Sequence, residues 1–160
     1  MMRIGLSVAK LVLWYLGFSA SAHLVWETAQ LPFYTIWTEG TRYQLVVAVL
    51  HCTGGDVLIA AFTLLAAILL TGRNWPAAGR ARVACIAIAL GIGYTIYSEW
   101  LNVTVRHLWT YSPLMPVVPP LGTGLSPLLQ WAVIPFLAFL LLAWRVRRPD
   151  LAFQSAAHPC

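Results

Sequence analysis

The chain has 160 residues, is 60% hydrophobic and 9% charged, and carries a formal net charge of +5 with a mean hydropathy of +0.76. So little polar surface excludes a water-soluble domain of this size, and four spans of roughly 20 to 25 residues use up most of the length. The arginines sit at the ends of apolar runs and form no basic stripe with interleaved aromatics, so the partner they imply is the bilayer and not nucleic acid.

Residues 1–148 read as a single four-span membrane domain, and residues 149–160, which lack apolar periodicity, as a disordered cytoplasmic tail. Span one is expected from about Leu11 to Leu31, where Pro32 ends or kinks it and Phe33, Tyr34 and Trp37 suit the membrane interface. His23 and Glu27 within it, and the lack of a small-residue cleavage site, mark a retained helix and not a signal peptide. A polar turn at Thr38 to Arg42 leads into span two, Tyr43 to Leu70, which closes on Gly72, Asn74 and Pro76. Span three is expected over Val83 to Val103 and span four over Pro127 to Trp144. Between these last two, Pro113, Pro116, Pro119, Pro120, Gly122 and Gly124 rule out a regular span and predict a stiff loop or cap.

Eight basic residues (Arg3, Lys10, Arg73, Arg80, Arg82, Arg145, Arg147, Arg148) fall on one side of this arrangement and two (Arg42, Arg106) on the other. The positive-inside rule therefore predicts an all-α four-helix bundle with both termini inside and the Pro-rich segment outside. A bacterial inner membrane is favoured over an organelle membrane. The three cysteines, Cys52, Cys85 and Cys160, are scattered and indicate neither a disulfide framework nor a metal knuckle.

Ionisable residues inside spans cost several kcal/mol unless paired or hydrated, so each is a functional-site hypothesis by default. Here they are His23 and Glu27 on span one, His51 and Asp56 on span two and Glu99 on span three. At a rise of roughly 1.5 Å per residue, all fall near mid-membrane or in the outer half. His23 and Glu27, four apart, share a helical face. His51 and Asp56, five apart, point about 140° away from each other on an ideal helix, unless Gly54 and Gly55 unwind or closely pack that stretch. Thr95, Glu99 and Asn102 form a polar stripe on span three.

The run His23-Leu-Val-Trp-Glu27, the Tyr-rich stretch after it and Thr41-Arg42-Tyr43 resemble the emopamil-binding (EXPERA) sterol isomerase family over the first two spans. The resemblance implies a four-helix membrane unit in which a first-helix His and Glu, with an acid on the next helix, move a carbon–carbon double bond by protonating one end and deprotonating the other. Carried over, these are His23 and Glu27; the second-helix acid falls near Gly54 on a gapless count, with Asp56 two residues later, and Gln130 is the amide nearest to the family's late asparagine.

The expectation is thus an isomerase-like acid/base enzyme, or a binder of a small hydrophobic sterol- or isoprenoid-like ligand. His23, Glu27, Asp56 and Glu99 are its catalytic candidates, and Trp26, Tyr97, Trp100, Gln130 and Trp131 its ligand-binding ones. A carboxylic acid in apolar surroundings can keep its proton and act as a donor, and aromatic faces can stabilise a developing cation. No cofactor is needed for such chemistry. Two other classes use the same residues. His23, Glu27, His51, Asp56 and Glu99 are an acceptable nitrogen and oxygen set for zinc or iron. Alternatively, the acids serve proton-coupled transport or assembly, with a homo-oligomer or larger membrane complex as partner.

Overall fold

The computed structural model describes residues 2–72, 75 and 78–147, with side chains described from residue 8 to residue 145; the expected tail at 149–160 lies outside the described residues. Four helices are long and apolar enough to cross a membrane. They are α1 (Met2–Gln30), α3 (Arg42–Thr71), α4 (Arg80–Glu99) and α5 (Leu125–Arg147), and the all-α bundle read from the sequence is the fold observed. A multi-pass membrane protein follows from them. Helix α1 packs on α3 and α5, and α4 packs on the same two, which closes a ring around one core. Near the end of α5 the Arg145 guanidinium lies 4.9 Å from the centre of the Trp14 ring on α1.

Burial follows the helical period. Tyr15, Ser19, His23, Glu27 and Gln30 form the buried stripe of α1, and Val83, Ala87, Gly91, Thr95 and Glu99 that of α4. Spacings of three and four keep each stripe on one face, and the other faces carry leucine, valine and phenylalanine for lipid. Small residues on α4 admit close partners: a Cβ on Gly91 would lie 2.2 Å from Cε3 of Trp131 on α5, so only glycine leaves room for that ring.

Several local expectations need correction. The polar turn at Thr38 to Arg42 is partly helical: after a 3-10 turn at Leu31–Phe33, a short helix α2 (Ile36–Glu39) forms, and Thr41 and Gln44 make a capping box that starts α3. The box satisfies two amides that the first turn of α3 leaves open. Span three runs past α4 into a π-helix, Trp100–Val105. Gly54 and Gly55 neither unwind α3 nor pack closely, because the helix is continuous and a Cβ at either position would meet nothing within 4 Å.

The proline-rich segment is stitched to the opposite corner of the bundle. Tyr34 and Tyr111 form an antiparallel bridge, Thr35 N–H donates to Thr110 O at 3.0 Å, Ser112 N–H to Phe33 O at 2.9 Å, and Ser112 Oγ–H to Pro32 O at 2.8 Å. A hairpin of two-residue strands, β1 (Val117–Val118) with β2 (Thr123–Gly124), then turns the chain into α5. Pro127, in the first turn of α5, sits where a missing N–H is harmless.

Candidate functional site

The polar group at the centre of the site is Gln130, on α5 and 2% exposed. Its Nε2 lies 2.9 Å from Nδ1 of His23, 2.9 Å from Oε1 of Glu27 and 3.0 Å from Oδ2 of Asp56. One amide thereby joins helices α1, α3 and α5. Asp56 Oδ2 is also 3.3 Å from His23 Nδ1.

Donor counting constrains the protons. The amide nitrogen has two hydrogens and three acceptor-capable neighbours, so the three cannot each accept a hydrogen of their own from it. A proton on His23 Nδ1, directed at Asp56, resolves the count and leaves both amide hydrogens for the carboxylates. His23 itself is fully buried, its ring is tilted over Trp131 with centroids 5.1 Å apart, and its Nε2 has no hydrogen-bond partner.

A second chain of bonds reaches Glu27 with a fixed direction. Trp26 Nε1–H, which can only donate, bonds Ser126 Oγ at 3.2 Å. Ser126 Oγ–H then donates to Gln30 Oε1 at 2.8 Å, which orients Gln30 so that its Nε2–H donates to Glu27 Oε1 at 2.8 Å. Glu27 Oε1 thus accepts from both Gln30 and Gln130.

Glu27, Gln30, Asp56 and Gln130 form one wall of a cavity of about 750 Å³, which Thr95, Glu99 and Trp131 also line. Glu99 stands across the space. Tyr111, brought in by the proline-rich segment, donates its O–H to Glu99 Oε2 and accepts from Gly124 N–H at 2.9 Å. Burial, followed by the Glu99 bond, raises the Tyr111 phenol above its ordinary range, and burial with Glu99 nearby does the same for Tyr34. Both therefore remain hydrogen-bond donors at neutral pH.

Of the residues singled out in the sequence, His23, Glu27, Asp56 and Gln130 meet directly, and Trp131 and Glu99 complete the same site. His23 sits behind the wall and does not line the cavity, whereas Glu27 and Asp56 do. Trp26 supports the site through Ser126. Tyr97 and Trp100 stand apart: they pair with each other on the surface, 55% and 48% exposed, outside the cavity lining. His51 is exposed and contributes to the cavity's rim but not to the His23 cluster, as its angular offset from Asp56 requires. Among the described residues, no three His, Cys, Asp or Glu side chains are grouped so as to hold a metal ion.

Three participants escaped the sequence reading. Gln30 lies three residues beyond Glu27 on the same face, which was a usable signal. Ser126 and Tyr111 join through contacts 96 and 12 residues apart in the chain, for which no local pattern exists. Comparison of the chain with protein-family profiles, with curated proteins and with solved structures found no match.

Proposed function

We propose that the protein is a membrane isomerase that moves a double bond in a small lipophilic molecule by proton transfer within the bilayer. The observation that carries this reading is the convergence of His23, Glu27 and Asp56 on the single Gln130 amide, at the wall of a cavity large enough for such a molecule. The resemblance of the first two spans to the emopamil-binding family supports the same chemistry.

In this mechanism a carboxylic acid at the wall gives its proton to one alkene carbon, and a carboxylate removes a proton from the allylic carbon. The electrons of that C–H bond form the new double bond, so the reaction consumes no net proton and needs no redox partner. Glu27 and Asp56 are the exchanging groups because both line the cavity. His23, out of reach of the substrate, positions Asp56 through its Nδ1. Glu99, opposite, stabilises the positive charge that develops between the two transfers.

The test is isotopic. Sterol and isoprenoid alkenes incubated with the purified protein in deuterated buffer should give a shifted double bond carrying deuterium at the newly protonated carbon. Glu27→Gln, which keeps the shape, should lower that rate by about 10²- to 10⁴-fold, the usual worth of a positioned acid or base, without loss of folding. Incorporation by the variant at the wild-type rate would refute the assignment. Absence of exchange across the alkene panel would refute the activity.

A further inference from the structure

The outer mouth of the cavity differs chemically from its floor. Three carboxylates, Glu27, Asp56 and Glu99, line the interior, and the one Lys or Arg among the lining residues is Arg106. Arg106 is exposed and forms no ion pair among the described residues, including none with Glu39, which also borders the space. His107, beside it, lines the mouth too.

The backbone that presents these two side chains is unusual. The π-helix ends in a bond from Arg106 N–H to Leu101 O at 2.8 Å, and Leu108 N–H returns to Asn102 O at 2.9 Å. Between them His107 takes a φ of +50°, a left-handed conformation that costs a non-glycine residue of order 1 kcal/mol or more. π-helical turns and such residues collect where a side chain must be aimed. Here both lie next to the fixed cation of the mouth, seven residues along the chain from Glu99.

We propose that this mouth is a head-group site: Arg106 and His107 receive the anionic oxygens of an amphiphile whose apolar part lies in the cavity. An anionic group is repelled from the interior by three acids and is attracted by Arg106, so the charge pattern orients the molecule, apolar end inward. The inference rests on the isomerase reading and narrows its substrate class to amphiphiles with a phosphate or carboxylate end.

Binding of tritiated dodecyl phosphate and dodecanol to the full chain in neutral maltoside micelles, with empty micelles subtracted, tests it. The phosphate should bind at least tenfold more tightly than the alcohol. Arg106→Gln should cut that preference below threefold, while Arg42→Gln, an exposed arginine outside the cavity lining, should leave it intact. Millimolar inorganic phosphate should not displace the amphiphile. Equal binding of the two probes, an equal loss in the Arg42 variant, or displacement by free phosphate would each overturn the head-group site while leaving the apolar cavity standing. Failure of both probes to bind would remove the lipophile cavity itself, and the head-group site with it.

Discussion

Replacement of Gln130 by leucine preserves most of the side-chain volume and deletes the amide on which three helices converge. Nε2 can donate two bonds, and both end on carboxyl oxygens. Bonds of this kind contribute about 1.5 to 3 kcal/mol each, so the variant should lose about 3 to 6 kcal/mol. The upper half of that range applies if the orphaned acceptors stay dry, the lower half if water from the cavity reaches Glu27 and Asp56, both of which line it. Equilibrium unfolding of the purified chain in mixed micelles, with SDS as denaturant and tryptophan fluorescence as probe, measures the loss. A change below about 1 kcal/mol would mean that the amide holds nothing together and would refute the convergence on which the site is built.

Gly91→Ala should destabilise by about 1 to 3 kcal/mol through overpacking against Trp131, whereas Gly54→Ala, which meets nothing, should be neutral or slightly stabilising in the same unfolding assay. Tyr111→Phe removes the donor to Glu99 and the acceptor for Gly124 N–H, so the cap should become more susceptible to proteolysis between Pro113 and Gly122, and deuterium transfer should slow about tenfold or more with the lipophile still bound. Single cysteines at Glu39 and Ala78, in a chain whose own cysteines are replaced by serine, should react with an impermeant maleimide from opposite sides of the membrane; reaction from one side alone would refute the four-span topology.

The spans were legible because lipid imposes a simple demand, a long run of apolar residues with its backbone bonds satisfied internally. The clustering of acids was legible for the converse reason: His23, Glu27, Asp56 and Glu99 are expensive wherever they face lipid, and the least costly arrangement brings them together. Detail was lost wherever the outcome depended on distant partners. Gly91 and Gly54 look alike in the sequence, yet only Gly91 faces an indole, because Trp131 arrives from a helix 40 residues away. Tyr97 and Trp100 each lie near Glu99 in sequence, yet adjacent helical positions diverge by about 100°, and both turn outward. The π-helix that leads into Arg106 has no composition of its own that separates it from ordinary helix.

On the isomerase proposal, the arrangement of donors accounts for acid chemistry at this place in the bundle and not merely somewhere in it. Gln30 and Gln130 both aim N–H groups at Glu27, and the Trp26–Ser126 chain fixes the direction of the first of them. Asp56 receives the other amide hydrogen and faces His23 Nδ1. Two neighbouring carboxyl groups on one cavity wall are thus unequal in kind: Glu27 accepts from two amides, whereas Asp56 accepts from one and faces an imidazole. Inequality of this sort separates a proton donor from a proton acceptor, whereas two identical acids would compete for the same role. Trp131 ties the inequality to the packing, since its ring lies against His23 and itself rests in the space left by Gly91. A methyl group at Gly91 therefore acts on the acid pair without touching it, by displacing the indole that sets the imidazole's position.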